Sequence, residues 1–422
     1  MQLQKEFPFF STSRSKSLFI LPTLLILGFI FRLYLGSMAQ HDLIWDSAAY
    51  AKQASKIFNG EFTVDCCQHG AGYPLFLAFT YKFFGENNFG AVRVVQAAID
   101  VFSALFIFLS AKKLFNKQIH WYPFLLYLIN PFTSVYTGVI LTETLAIFCI
   151  SAIAYFLISI KEQRQRLIYL GLGLSMGLLT ITKISFFYFN VFTILYLVWV
   201  TNTHKKLKYF VIFFSIGILA FTSYSIIGNY TRYKVLRILP PYQTSSGLLY
   251  LFANYPVGRY PELVVEFGKG LHPKLNEVMG EFYYLYANKP EGLLQYNKKY
   301  THLFWQNLKS SWPIFIKNLV TNMVMIWDKR YLYIYSDPFY PKYSWALRIS
   351  TLLYFLFFAV GFITYVRKNK GNSLKSPIVI FTISLFAYIS IIMAMVTNES
   401  RIAIPFYPLL LLWAGYGLSI LR

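Results

Sequence analysis

Apolar runs of about twenty residues recur along this chain, and they decide what it can fold into. Wound as a helix, such a run spans about 30 Å of hydrocarbon. Lipid offers no hydrogen-bond partners, so a spanning backbone must satisfy its own polar groups, and only helices and closed barrels do so. The runs here are continuous, without the period-2 alternation of barrel strands, so the expected fold class is an all-α polytopic membrane protein. Composition agrees: 56% of the 422 residues are hydrophobic and only 13% are charged. We read about ten spans, at 18–36, 91–113, 120–137, 143–160, 167–183, 185–201, 209–228, 346–366, 377–396 and 403–421.

The formal charge is +22. In a soluble chain that would suggest nucleic acid. Here much of it sits in short loops, where Lys and Arg set topology, so no nucleic-acid partner is expected and membrane lipid head groups or phosphates are. "KKLFNK" (112–117), "KEQRQR" (161–166), "HKKLK" (204–208) and "RKNKGNSLK" (367–375) all fall on the N-terminal side of the membrane. Both termini are then cytoplasmic. The basic Arg14, Ser15, Lys16 precede the first span, and "SMAQ" after it has some look of a cleavage site. The run is long for a cleaved signal, so a retained signal anchor is expected.

"WPIFIKNLVTNMVMIW" (312–327) is also apolar, but a span there would move "RKNKGNSLK" outside and break the charge pattern. It is expected to lie on the outer surface as an amphipathic helix, with an eleventh span as the rival. The organisation is therefore 1–228, a membrane module with a first outer loop at 37–90; 229–345, an outer-face region with interfacial helices; and 346–422, the last transmembrane helices. "GLGLSMG" (171–177) lies inside a span, with no strand before it, so its small residues serve close helix packing rather than a nucleotide.

The first outer loop opens with "WDSAAY" (45–50), which sets Asp46 and Tyr50 one helical turn apart. Two short helices are expected in this loop. "DSAAYAKQASKIFNG" starts well at Asp46, a good capping residue, and stops at Gly60. "HGAGYPLFLAFTYKFFG" follows, with Gly70 and Gly72 allowing a close backbone approach and Pro74 opening the helix. Cys66 and Cys67 are adjacent, a spacing that suits neither a metal site nor a disulfide framework; free thiols are the plainer state and a vicinal disulfide the alternative.

Ionisable residues gather at the outer ends of spans: Asp42 and Asp46 in the first loop, Arg93, Glu143 in "LTETLAIF", Lys183 in "TITKISFF", and Glu399 and Arg401 in "NESRIAIPFYP". Outer-face cations in short turns run against the topology rule, and charge beside hydrocarbon is costly without a partner. Singly, each is accounted for by a snorkelling side chain. Converging, Arg93, Lys183 and Arg401 make an anion site at bilayer depth, suited to a lipid-linked phosphate or diphosphate. A glycosyl phosphate has a leaving group that needs cations rather than a general acid, and an acceptor hydroxyl that needs a base. Asp46 can be that base. Glu143 can orient an acceptor, hold a cation or itself be the base, although Thr142 or Glu143 can equally cap its helix. His69 can meet phosphate or a sugar hydroxyl, or simply lie on the surface. The six histidines show no zinc spacing.

In these segments the chain resembles the GT-C-type integral membrane glycosyltransferases, in particular the polyprenyl-phosphate-sugar-dependent group related to protein O-mannosyltransferases and the lipid A aminoarabinose transferase. "WDSAAY" is similar to that family's acidic first-loop motif. "GAGYPLFLAFTYKFFGENNFGAVRVVQ" resembles its Pro-Gly-Tyr-Pro segment, with Tyr73, and the Arg of the second span, Arg93. "NPFTSVYTGVILTETLAIF" resembles the third-to-fourth connection with its acid. "GLLTITKISFF" and "ESRIAIPFYPLLLLWAGYGL" resemble the basic fifth-span turn and the last span.

The resemblance implies a GT-C-like fold of about ten transmembrane helices. It implies a polyprenyl-phosphate sugar donor, a hydroxyl acceptor (lipid, glycan or protein), and transfer on the outer face, usually with inversion. Asp46 corresponds to the first-loop catalytic acid and Glu143 to the second-loop acid. Lys183 and Arg401 face the donor phosphate. Tyr50, His69, Tyr73, Arg93 and Glu399 complete the expected substrate contacts. Two departures stand out: "QHGA" replaces an Arg-Pro or Lys-Pro pair, and Ser47 stands where a second acid is common. No cofactor or required metal is expected. A bacterial inner membrane is the expected location. A lipid-linked sugar flippase is the main rival, but its charges belong at the midplane in broken helices; a non-catalytic scaffold is the other.

Overall fold

A computed structural model describes residues 14–39, 43–115, 119–160, 164–200, 204–255, 273–333, 339–369 and 376–421. The regular secondary structure of the described residues is all helical, with no strand among them. In chain order the elements are α1 (Arg14–Ser37), α2 (Asp46–Phe58), α3 (Gly72–Phe84), α4 (Phe89–Leu114), α5 (Trp121–Leu128), α6 (Glu143–Ser159), α7 (Gln165–Thr182), α8 (Phe187–Val200) and α9 (Leu207–Tyr233). Then come α10 (Ser246–Asn254), α11 (Pro273–Asn288), α12 (Leu293–Trp327), α13 (Ser344–Lys368), α14 (Pro377–Met395) and α15 (Ser400–Ile420).

Six of the ten expected spans form helices long and apolar enough to cross a membrane: most of α1, and α4, α9, α13, α14 and α15. Two shorter apolar helices, Glu143–Ser159 and Ile184–Trp199, match two more. The chain is an integral membrane protein of all-helical class. The stretch expected as a span at 120–137 is different. Helix α5 stops at Leu128, Asn130 caps a four-residue turn Pro131–Ser134, and a 3-10 turn Val135–Gly138 follows. Pro131 has no N–H to continue the ladder, and the Asn130 side chain accepts from the Thr133 N–H instead. The segment expected to lie on the surface at 312–327 is the second half of α12, bent at Ser311 just before Pro313, and is not among the helices that meet the criterion for crossing.

Small residues let helices meet backbone to backbone, as "GLGLSMG" suggests. A Cβ on Gly173 would stand 2.3 Å from the Phe214 carbonyl oxygen, so α7 and α9 touch there only because it is glycine. One large apolar core joins α1 and α4 through α7 to α14 and α15. A second, smaller core gathers α10, α11 and the first half of α12 around Tyr250, Phe282, Tyr296 and Tyr300, and it includes Cys67 from the first loop. That inclusion seats the 229–345 helices on the first loop.

Deep in the array Arg32 of α1 meets Asp100 of α4, Nε to Oδ2 at 2.6 Å, both fully buried. Arg32 Nη1 also donates to the Gly28 and Leu128 carbonyls, and Tyr127 donates to the other Asp100 oxygen at 2.6 Å. This pair lies inside two expected spans and was absent from the candidate residues above.

Candidate active site

The site begins with how α2 starts. Asp46 is its first residue, but its carboxylate caps nothing; the cap position is Trp45, at φ 52°, whose side chain makes no capping hydrogen bond to the helix. Ser47 closes the turn locally, accepting from the Ile44 N–H and donating to the Ile44 carbonyl. The Asp46 side chain is therefore available to tertiary partners. Arg401 Nη2 donates to its Oδ2 at 2.9 Å, and His69 Nε2 lies 3.4 Å from its Oδ1. Arg401, in the 3-10 turn that opens α15, also donates through Nε to Glu399. Asp46, Arg401 and Glu399 thus form one charge chain whose carboxylates are a quarter to a third exposed.

Burial alone would raise the Asp46 pKa, but the charge of Arg401 and the contact with His69 outweigh it and hold the carboxyl well below its ordinary value. Burial would likewise lower the His69 pKa; Asp46 and Asp65 together outweigh that and the opposing Arg401, so the imidazole is raised above its ordinary value.

A second pair lies deeper. Lys183 Nζ donates to Glu143 Oε1 at 2.8 Å, with side chains 9% and 1% exposed. Glu143 heads α6; Thr142 is its cap residue and makes no side-chain cap bond. Glu143 Oε2 is buried with no hydrogen-bond partner. Arg401 acts electrostatically on Glu143 as well as on Asp46, so the two pairs share one field.

Two glycines bring them together. A Cβ on Gly70 would stand 2.0 Å from the Ile181 carbonyl oxygen, and one on Gly72 would stand 2.5 Å from Thr182 Oγ1. The loop carrying His69 therefore lies flat against the end of α7, one residue before Lys183. This is the close backbone approach expected from "HGAGYP".

Three expected contacts land differently. Arg93 Nε donates to the Gly138 carbonyl at 2.9 Å and holds the 3-10 turn there rather than joining the ion pairs. Tyr73 is fully buried; its hydroxyl donates to Gln96, whose amide in turn holds the Thr137 and Val139 carbonyls. It is part of the scaffold, not of a ligand surface. Tyr50 is buried edge-on against both His69 and Tyr73, at 4.9 and 5.1 Å between ring centres. Asp42 lies outside the described residues. Cys66 and Cys67 are joined in a disulfide rather than free.

Two residues were missed. Asp65 Oδ2 accepts from the backbone N–H groups of Cys67, Gln68 and His69, and Tyr286 of α11 donates to its Oδ1 at 3.1 Å. Lys329, just beyond α12, is buried with Nζ 3.3 Å from the Tyr136 hydroxyl and 4.5 Å from the Tyr331 ring centre. Among the described residues no group of three or more His, Cys, Asp and Glu converges in a metal-ligating arrangement.

Residues 68–227 match the family model of the dolichyl-phosphate-mannose-protein mannosyltransferases. That segment holds His69, Glu143 and Lys183; the fold brings Asp46 and Arg401 to it from either side. No curated protein sequence matches the chain. In structure it is similar to the Archaeoglobus fulgidus oligosaccharyltransferase, both tethered to an acceptor peptide (TM-score 0.53, 12% identity) and in the apo form (0.52, 13% identity). Each match covers 95% of this chain, which spans about half the length of that enzyme, 49% and 50% respectively. ArnT from Cupriavidus metallidurans in the apo state is also similar, at a TM-score of 0.45 and 13% identity over 96% of this chain and 78% of that one. The chain has the GT-C-type fold, and its residues 68–227 are similar to the mannosyltransferase family.

Proposed function

We propose that this protein transfers a sugar from an isoprenoid-phosphate carrier to a hydroxyl acceptor at the outer face of a plasma membrane, with both termini cytoplasmic. One observation carries the reading: two cations from distant parts of the chain, Arg401 and Lys183, each hold a carboxylate, Asp46 and Glu143, and Arg401 acts on Glu143 as well. The matched mannosyltransferase family and the shared fold support a lipid-linked donor.

In this reading the carrier phosphate binds against Arg401 and Lys183. Arginine has five donors and lysine three, so each can share phosphate with its carboxylate or exchange one for the other. The exchange matters for Asp46. With Arg401 on its Oδ2 the carboxylate is a poor base; a phosphate that draws Arg401 away restores its basicity when the donor is present.

The acceptor oxygen then attacks the anomeric carbon from the face opposite the phosphate. The new C–O bond forms as the bond to the phosphate oxygen breaks, its electron pair leaving on the phosphate, where the two cations stabilise it. The hydroxyl proton passes to Asp46, and the configuration inverts. Glu143 Oε2 is suited to accept a hydrogen bond from a second substrate hydroxyl.

The test is transfer of radiolabel from undecaprenyl-phosphate sugars by the purified protein, with membrane lipid extract and protein as acceptors. Wild type should release label from the carrier, and folded Asp46→Asn and Lys183→Ala should not. No release by wild type from any donor sinks the proposal.

A further inference from the structure

We infer that Asp65 is a positioning residue that fixes His69 as a third cation of the donor-phosphate site, a role that rests on the site proposed above. Both ring nitrogens face carboxylates. His69 Nε2 faces Asp46 at 3.4 Å and His69 Nδ1 faces Asp65 at 3.7 Å. A neutral imidazole has one N–H and one lone pair, so one nitrogen would turn its lone pair toward a carboxylate. Only the imidazolium offers a donor to both.

Asp65 is itself held. Its three backbone N–H partners and the Tyr286 hydroxyl fix both oxygens. The Tyr242 N–H bonds the Cys66 carbonyl, so the loop is also tied to the chain leading into α10. The groups facing His69 are Asp46 and Tyr50 from α2, Asp65 from its own loop, and Arg401 from the start of α15. Carboxylates outnumber the one opposing cation, and together they favour the charged ring against burial. Bound phosphate adds negative charge on the same side.

The sign of the pH effect follows. His69 is raised above its ordinary value, so its charge is complete below that value and lost as pH rises through the shifted one. Carrier binding by wild type should therefore weaken on the alkaline side. Asp65→Asn keeps an oxygen for the backbone N–H groups but removes the charge. It should move the alkaline loss to lower pH and raise the donor KM on the alkaline side, with kcat nearly unchanged. His69→Lys, a cation that stays charged, should abolish the alkaline loss between pH 6.5 and 9, in wild type and in the Asp65→Asn background alike.

The measurements are binding of undecaprenyl phosphate without any sugar, the pH profile of kcat/KM for the donor, and the His69 titration by NMR of histidine-labelled protein, assigned with His69→Gln. A lower His69 midpoint in Asp65→Asn with weaker alkaline binding supports the inference. An unmoved midpoint, or an alkaline loss that persists in His69→Lys, overturns it. If wild type binds no carrier while Asp65→Asn still lowers the midpoint, the donor-site reading fails and takes the third-cation role with it. Carrier binding that follows the expected pH profile without any sugar transfer leaves this inference standing and condemns the proposed reaction alone.

Discussion

Arg401 Nη2 stands 2.9 Å from Asp46 Oδ2, joining residues 355 positions apart in the chain. The contact ties the start of the last helix to the start of the first loop's helix. It also sets how Asp46 titrates. A carboxyl held below its ordinary value contributes stability that is present above that value and is lost as pH falls through the lowered one. Replacing Arg401 by Met removes the main charge acting on Asp46. In thermal unfolding between pH 7 and 3, Arg401→Met should be less stable than wild type at neutral pH and lose less stability as pH falls, so the two curves converge in acid. Coincident curves would mean that the pair is not formed.

Asp46→Asn separates binding from chemistry. The amide cannot take the acceptor proton, and loss of a general base costs about 10²–10⁴ in rate. Arg401, released from Asp46 and still held by Glu399, remains available to phosphate through its other N–H groups. We expect kcat for transfer to fall by that order while undecaprenyl phosphate binds as well as to wild type or better. Retention of full kcat in a folded variant would falsify the assignment of Asp46 as the base.

The buried Lys183–Glu143 pair should show the asymmetry of buried charges. Removing one partner leaves the other uncompensated and costs about 3–5 kcal/mol. Lys183→Met is therefore expected to be markedly less stable than wild type by thermal unfolding, and Glu143→Gln/Lys183→Met to recover part of the loss. Transfer should be absent from both, because the phosphate contact is gone in each. Equal stability of the single and double variants would place solvent at Glu143.

Gly70 tests the seam between the two ion pairs. A methyl group there meets the Ile181 carbonyl at 2.0 Å, and that atom is backbone, so it cannot rotate away. Overpacking of this kind costs about 1–3 kcal/mol. Gly70→Ala should lower Tm and reduce transfer by shifting His69 relative to Lys183. Gly280→Ala, where nothing lies within reach of the new methyl, is the control and should do neither. Identical behaviour of the two variants would remove the seam from the account.

Asp46, Glu143, Lys183 and Arg401 were readable from the sequence for one reason: charge beside hydrocarbon is costly, so its presence at the ends of apolar runs demands an explanation. Which cation meets which carboxylate was not readable, because the pairing depends on how helices far apart in sequence pack. Arg93 shows the limit, since its position matches the others and its partner is a backbone carbonyl. Asp65 looked like an ordinary loop acid; nothing local shows that three following N–H groups fold back onto it. The break at Asn130 was signalled by the Asn-Pro dipeptide and was overridden by the length of the apolar run. Arg32 and Asp100 were visible as charges inside expected spans. No local signal shows that the two meet, because they lie on helices 68 residues apart.

Those two residues carry the last prediction. Arg32 and Asp100 are fully buried, and Tyr127 completes the carboxylate. Their use of backbone carbonyls and a tyrosine as partners marks the pair as a tie between α1, α4 and α5. In lipid the uncompensated charge has no water to turn to. Asp100→Asn strands the guanidinium and is expected to cost about 3–5 kcal/mol, whereas Arg32→Met/Asp100→Leu removes both charges and should lie closer to wild type. Tyr127→Phe loses one hydrogen bond to a charged group, about 1.5–3 kcal/mol. Thermal unfolding in lipid nanodiscs gives the order, and transfer per folded molecule should be unchanged in all three. Wild-type stability in Asp100→Asn would show that the pair is not what fastens α1 to the bundle.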